Sequence, residues 1–287
     1  MAIIGLAFSL GFTVGPLLSA LGIRWLVDTF KNVTVLGALG MSAIGLNALG
    51  LLTLCGFVAT SQSENIRPTI RNRESVRTVL RLVNVSSLFS LSGVSRPQKD
   101  TESLRTYGLI WFSYVLIFSG LESALIFLTR SRFGYTSRDQ GRMFFIIGLW
   151  MIAIQGGLIR RFSPGNELRL ASTAILILAS ASAVVGIAQH LWVFHLGLFL
   201  WSFAAATFIP TFQAAISFLA GPDRQGHVLG VFRSLNALAR AIGPALFSLL
   251  FWATGSICSY VIAACPLVLL WLYFRHTNRA FARVHTQ

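Results

Sequence analysis

The chain has 287 residues, of which 55% are hydrophobic and only 11% are charged. Soluble domains carry about 25% charged residues, so this composition excludes most soluble folds and indicates a membrane protein. The formal net charge is +14. Because the charges are scattered between long apolar runs, they favour a membrane surface over nucleic acid as the partner. We therefore expect a lipid bilayer as a partner and no nucleic acid.

Eight apolar runs are long enough to cross a membrane, since a span needs about 20 predominantly apolar residues. In chain order, the predicted spans are 2–22, 34–59, 108–129, 142–159, 168–189, 192–218, 228–252 and 256–274. The weakest boundary lies between the fifth and sixth spans, where only Gln189, His190 and Leu191 separate two apolar runs. The pattern predicts an all-α polytopic membrane protein with about eight transmembrane helices.

One long polar segment, residues 60–107, separates the second span from the third and carries eight basic residues. Basic residues concentrate in cytoplasmic loops. With this segment in the cytoplasm, 15 of the 23 Lys and Arg residues fall on the cytoplasmic side and 6 on the opposite side. The bias predicts a cytoplasmic central loop and a cytoplasmic tail at 275–287. We expect the plasma membrane as the location, with an internal membrane as the alternative.

The first and seventh spans contain a similar short motif, Gly15-Pro16-Leu-Leu in the first and Gly243-Pro244-Ala-Leu in the seventh. Motifs repeated six spans apart are typical of transporters built from two six-helix halves. In the first span, small residues recur every four positions and form a face that another helix can approach closely. They are Ala7, Gly11, Gly15 and Ser19. Pro16 and Pro244 each remove a backbone donor and are expected to shape their helices. Ordinary helix packing is the alternative interpretation.

The run GFTVGPLLSALG, from Gly11 to Gly22, resembles the antiporter motif of the major facilitator superfamily, where it belongs to the fifth of twelve helices. The resemblance implies a partial fold of that superfamily, holding helices five to twelve. Residues 1–59 then form the last two helices of the N-terminal bundle, and 60–107 form the central loop. A complete six-helix C-terminal bundle follows at 108–274. On this interpretation the chain is N-terminally incomplete: a fragment, a partial gene model or a short isoform.

Two further stretches, 118–145 and 225–244, are similar to the tetracycline-transporter-like branch of this superfamily in animals, which is described as transporting organic anions. This resemblance implies secondary transport of small organic solutes by alternating access, with organic anions as the expected substrate. One departure is Arg160, which stands in the loop between the fourth and fifth spans where the superfamily often has an acid. The gating ion pairs of that loop therefore cannot be assumed here.

Charged residues inside the predicted spans are the leading candidates for substrate or proton coupling, because a charge near the middle of a span is costly. Glu122 lies well inside the third span and is expected either to couple protons or contact the substrate, or to pair with a basic or polar group such as Arg142 or Arg240. Arg233, Asn236 and Arg240 follow a helical spacing and share one face. Two arginines beside a cavity would attract carboxylate or sulfonate groups, while Arg233 also lies close enough to the helix end to reach the headgroups.

Uncharged polar and aromatic residues inside spans are weaker candidates. Gln155, Gln213 and Asn47 either line a pathway or join helices by hydrogen bonds. Core packing is favoured over substrate contact for the aromatic residues Trp111, Tyr114, Trp150 and Trp201. The sequence has no Ser-His-Asp arrangement, metal-ligand spacing or glycine-rich phosphate loop, so we expect neither an enzyme nor a cofactor. The alternative function is a truncated, non-transporting membrane scaffold whose basic loop binds anionic lipids. The sequence leaves the oligomeric state open.

Overall fold

The computed structural model describes residues 98–158, 165–220 and 224–285, together with the isolated helical positions Gly45, Ala48 and Leu52. Short links apart, the described residues are helical and none of them lies in a strand. The first four helices are α1 (Gln98–Phe133), α2 (Ser137–Ala153), α3 (Glu167–Ile187) and α4 (Leu191–Ala220). The predicted all-α fold class is therefore confirmed. The predicted span 2–22, nearly all of 34–59 and most of the polar segment lie outside the described residues.

The remaining run, Gln225–His285, consists of two helices that meet at Gly255. Gly255 has a φ of 81° and a ψ of 174°, a backbone conformation that glycine adopts without the steric cost of a Cβ. We call residues 225–254 α5 and residues 256–285 α6. The predicted spans 228–252 and 256–274 correspond to these two helices. The last helix continues beyond the predicted span, so its C-terminal turns occupy the predicted tail.

Helix α1 is the centre of the described bundle, because α4, α5 and α6 all pack against it. Along α5 the contacts advance in the same direction as in α1, from Trp111 against Phe232 to Phe127 against Phe251. Along α6 they run backwards, from Ser256 beside Arg132 to Phe274 beside Tyr107. Helices α5 and α6 therefore form an antiparallel hairpin with both arms on α1.

Helices α3 and α4 form a second hairpin, joined by the three residues 188–190. The predicted boundary at Gln189 to Leu191 is thus correct to within two residues. The two arms approach closely where Gly197 faces α3, since a Cβ on Gly197 would lie 3.2 Å from the main-chain nitrogen of Val185. Helix α3 also touches α6, where a Cβ on Gly186 would lie 2.9 Å from that of Tyr260. Small residues thus let neighbouring backbones approach.

Four stretches of the described residues are long and apolar enough to cross a membrane: Leu104–Phe133, Glu167–Ile187, Leu191–Ala220 and Gln225–Asn278. The last one contains both α5 and α6. Helix α2 has 17 residues and continues into a five-residue π-helical turn, Ile154–Leu158, so together they cover residues 142–158 of the predicted span 142–159. Many large apolar side chains on the outside are exposed, for example Leu249 at 70% and Trp252 at 87%, as expected for helices that face lipid.

Helix α1 begins at Gln98, which is ten residues before the predicted span and inside the predicted loop 60–107. Residues 98–107 of the predicted loop are therefore helical. The physical reason is that Leu104 and Tyr107 are buried and extend the packed face of α1, although charged residues interrupt the hydropathy of this stretch. Because one face of this stretch is buried against other helices, the helix continues through it, although its average hydropathy predicts that the helix ends.

Candidate functional site

An ion pair joins α1, about two-thirds of the way along it, to the middle of α5. The carboxylate oxygen Oε2 of Glu122 lies 3.5 Å from a terminal guanidinium nitrogen of Arg240. With a rise of about 1.5 Å per residue, Glu122 lies at least about 15 Å from either end of the apolar stretch Leu104–Phe133. The side chain of Glu122 is 19% exposed and that of Arg240 is 33% exposed. The pair is therefore well inside the helices but accessible from outside the described bundle.

Small residues bring the backbones of α1 and α5 together beside this ion pair. A Cβ added to Gly243 would lie 2.6 Å from the carbonyl oxygen of Leu116, and one added to Gly120 would lie 2.9 Å from the carbonyl oxygen of Gly243. The hydroxyl of Ser119 donates to the carbonyl of Ala239 across the same contact, at 3.4 Å. Because the two backbones nearly touch, the Glu122 and Arg240 side chains reach each other across a short gap.

Pro244 follows Gly243 at this crossing and has no amide hydrogen. In a regular α-helix, residue 244 would donate to the carbonyl four positions earlier, which belongs to Arg240. The main-chain carbonyl of Arg240, whose guanidinium pairs with Glu122, therefore does not receive the usual hydrogen bond from the amide four residues later. Beside the charged pair, Gly243 thus allows the close helix crossing, and Pro244 removes one backbone hydrogen-bond donor from α5. A helix-shaping role for this motif stays a prediction.

The polar face predicted on α5 is present along the helix. Arg233 is exposed, while Asn236 and Arg240 are partly exposed. The exposed positions that share a helical face with these arginines are small, Ala237, Ala241 and Ala245, whereas Ile242 and Leu246 are exposed beside that face. A face that combines arginines with small residues differs from the large apolar residues of a lipid-facing surface. Charged residues within membrane helices usually face a cavity or another helix.

The two glutamines proposed for the pathway occupy different positions. The side chain of Gln155 is buried, and its Nε2 donates to the main-chain carbonyl of Ala206 on α4 at 3.3 Å. This contact agrees with the helix-joining interpretation of Gln155. Gln213 is half-buried on α4, and its place in a pathway stays a prediction.

The aromatic candidates belong mainly to the packed core between α1 and α4. The side chains of Trp111, Tyr114 and Trp201 are almost completely buried. The rings of Tyr114 and Phe208 are stacked with centroids 3.6 Å apart. Trp150 is half-buried and packs edge-on against a neighbouring phenylalanine. Core packing, rather than an open aromatic pocket, accounts for the positions of Trp111, Tyr114 and Trp201.

A residue that the sequence interpretation counted only as a loop charge joins three helices. Arg132, at the end of α1, donates from one terminal nitrogen to three carbonyls at the end of α3, at 2.8–3.2 Å. The acceptors are Val185, Gly186 and Ala188. Its other terminal nitrogen donates to the hydroxyl of Ser256 on α6 at 3.0 Å. A cation at a helix C-terminus also interacts favourably with the helix dipole.

Several predicted residues lie outside the described part of the chain, and their roles stay predictions. They are Gly11, Gly15, Pro16, Asn47 and Arg160. Arg142, the other suggested partner of Glu122, instead lies 3.8 Å from Asp139 near the start of α2. Among the described residues, no group of three or more His, Cys, Asp or Glu side chains is arranged to hold a metal ion.

Curated relatives of this chain carry the name major facilitator superfamily domain-containing protein 10. The protein from Bos taurus is 37% identical over 278 residues, covering 94% of this chain and 57% of its own length. The one from Homo sapiens is 39% identical over 261 residues, covering 89% of this chain and 54% of its own length. The chain therefore spans little more than half the length of these relatives.

The crystal structure of the human organic anion transporter MFSD10 (TETRAN) superimposes on this chain with a TM-score of 0.75 and 35% sequence identity. The match covers 96% of this chain and 62% of the solved one. Residues 1–244 match the family profile described as Major Facilitator Superfamily. This match covers most of the chain, and the solved structure has the same helical arrangement. The chain belongs to the Major Facilitator Superfamily and is a multi-pass membrane protein with a partial fold of that family.

Proposed function

We propose that this chain is part of a secondary transporter of small organic anions that works by alternating access between two helical bundles. The observation that carries the proposal is the Glu122–Arg240 ion pair, which lies inside the membrane-spanning helices and is partly exposed. Family membership and the organic anion transporter that resembles the chain support the same function. We further propose that 108–274 forms the C-terminal bundle and that the protein resides in the plasma membrane.

In this proposal Arg240 binds the anionic group of the substrate. A guanidinium group can donate two parallel hydrogen bonds to a carboxylate or sulfonate, which fixes the orientation of the bound anion. A hydrogen bond to a charged group contributes about 1.5–3 kcal/mol, equivalent to roughly 10- to 150-fold in affinity. Arg233 and Asn236 extend the polar face along α5 and provide a path for the anion to Arg240.

Glu122 competes with the substrate for the same guanidinium group. While Glu122 is ionised, its carboxylate occupies Arg240 at 3.5 Å. When Glu122 binds a proton, the attraction between the two side chains weakens and Arg240 becomes available to an anion. Proton binding at Glu122 and anion binding at Arg240 therefore favour each other. By thermodynamic linkage, each increases the affinity for the other by the same factor.

Uptake of an anionic dye by vesicles that contain the full-length protein tests both roles. We expect an inward proton gradient to stimulate dye uptake in the unmodified protein. Arg240→Ala should lower uptake at least about 10-fold through loss of the hydrogen bonds to the anion. Arg240→Lys should retain part of the uptake because lysine keeps the positive charge but cannot donate two parallel hydrogen bonds to the anion. Glu122→Gln should retain uptake but lose the stimulation by the gradient.

Arg275→Ala is a matched control, because Arg275 is an exposed arginine on α6, close to the end of the apolar stretch Gln225–Asn278 and away from the ion pair. It should leave both uptake and its pH response unchanged. Normal uptake by Arg240→Ala would contradict the anion site, and a preserved pH response in Glu122→Gln would remove Glu122 from coupling. A complete lack of dye transport by the unmodified protein, in vesicles where it is folded, would favour the scaffold function.

A further inference from the structure

Helix α4 contains a proline in its interior. Pro210 is buried and lies about two-thirds of the way along the helix Leu191–Ala220. Because proline has no amide hydrogen, it cannot donate to the carbonyl four residues earlier, which belongs to Ala206. In a membrane helix, a backbone carbonyl deprived of its donor must be satisfied by a neighbouring group, since lipid offers none.

The carbonyl that Pro210 leaves without its helical donor accepts a hydrogen bond from another helix. Nε2 of Gln155 lies 3.3 Å from the carbonyl oxygen of Ala206, in a buried contact between residues 51 positions apart. Only 7% of Gln155 is exposed. The side chain thus supplies, at the position of the proline, the donor that the α4 backbone lacks.

The position of Gln155 depends on an unusual turn at the end of α2. Gln155 lies in the π-helical turn Ile154–Leu158. Such turns are rare, and they often occur at functional positions. The two residues after Gln155 are glycines whose added Cβ atoms would meet nothing within 4 Å. Packing among the described residues therefore does not require Gly156 or Gly157 to be small, and neither residue has a positive φ.

We propose that Gln155 and Pro210 form a latch, in which one side-chain hydrogen bond ties the π turn of α2 to α4 at the turn that proline weakens. Helix α4 keeps its path across Pro210 while the bond holds. When the bond opens, the segment of α4 after Pro210 can change its angle relative to the segment before it. Proline sites and π turns are both places where helices bend, and here one hydrogen bond connects the two. This proposal does not depend on the transport of anions.

A double-mutant cycle on the purified full-length protein tests the latch. Gln155→Met removes the donor while nearly preserving the side-chain volume. Pro210→Ala restores a backbone amide that can donate to Ala206. With Pro210 present, Gln155→Met should lower the melting temperature by about 2–4 °C, as expected for one buried hydrogen bond. In the Pro210→Ala background, the same substitution should lower the melting temperature clearly less, because the backbone then supplies the donor to Ala206.

Hydrogen exchange provides the second measurement. With Pro210 present, Gln155→Met should increase exchange about fivefold in peptides covering residues 206–214, with no change in α3. Thr207→Val is a matched control in the same turn, because the Thr207 hydroxyl is buried and has no hydrogen-bond partner among the described residues. This control should leave exchange in the turn unchanged.

Two results would overturn the latch. One is an equal effect of Gln155→Met in both backgrounds, which would show that Gln155 acts independently of the proline. The other is failure of Gln155→Met to fold both with and without Pro210→Ala. If only the single variant fails to fold and the double variant folds, the latch is supported, because restoring the backbone donor has removed the need for Gln155.

Discussion

Replacement of Gly243 by alanine tests the close crossing of α1 and α5. The added Cβ would lie 2.6 Å from the carbonyl oxygen of Leu116. To reach an ordinary contact of about 3.4 Å, the helices must separate by about 0.8 Å. Overpacking of this kind costs about 1–3 kcal/mol, whereas alanine is better than glycine in a helix by about 0.5–1 kcal/mol. The expected net effect is a destabilisation of up to about 2.5 kcal/mol.

Gly230→Ala provides a control of opposite sign on the same helix. A Cβ on Gly230 would meet nothing within 4 Å, so only the gain in helix propensity of about 0.5–1 kcal/mol remains. Thermal unfolding in detergent, followed by tryptophan fluorescence, should show a lower melting temperature for Gly243→Ala and a higher one for Gly230→Ala. Each kcal/mol corresponds to about 2–4 °C in a chain of this size. An equal rise for both variants would refute the close crossing.

Two further predictions concern residues away from the crossing. Arg132→Met should destabilise the protein by about 2–4 kcal/mol because it removes the cation that binds the end of α3. The control is the exposed neighbour Arg130, whose replacement by Met should change the free energy of unfolding by less than about 0.5 kcal/mol. Equal melting temperatures of the two variants would contradict this prediction. At the start of α2, hydrogen bonds from the Thr136 hydroxyl and amide hold the pKa of the Asp139 carboxyl below its ordinary value of 3.8. A depressed pKa stabilises the helix above pH 3.8, and this stabilisation is lost as the pH falls through the lowered value. Amide exchange in residues 137–141 should therefore rise at low pH relative to Asp139→Asn, and parallel exchange in the two proteins would contradict the prediction.

Hydropathy predicted α1, α3, α4 and the pair α5 and α6 well because these apolar stretches are long enough to cross a membrane, whereas α2 with its 17 residues is shorter. Even the narrow boundary at Gln189 to Leu191 coincides with the link between α3 and α4. The start of α1 was missed because Leu104 and Tyr107 are buried in a stretch whose average hydropathy is low. Average hydropathy measures transfer into lipid, whereas this part of the helix is held by contacts with other helices.

For the candidate site, the sequence predicted the charged residues and offered Arg240 as one of two partners for Glu122. The choice between Arg240 and Arg142 depends on which helices are neighbours, and spacing along the chain carries no such information. Arg132 was overlooked for a related reason. Three of its four acceptors are main-chain carbonyls more than 50 residues away, and every residue type has such a carbonyl, so the sequence does not reveal them.

The single-residue turn at Gly255 has a consequence for mapping the topology of this protein. Helices α5 and α6 meet there without a loop, and the turn itself carries no charge. This end of the hairpin therefore has no loop that could carry an epitope tag, a protease site or an added glycan, and the turn itself adds no charge to the predicted bias between the two sides of the membrane. An insertion at residues 134–136, between α1 and α2, would report the same face without forcing two packed helices apart.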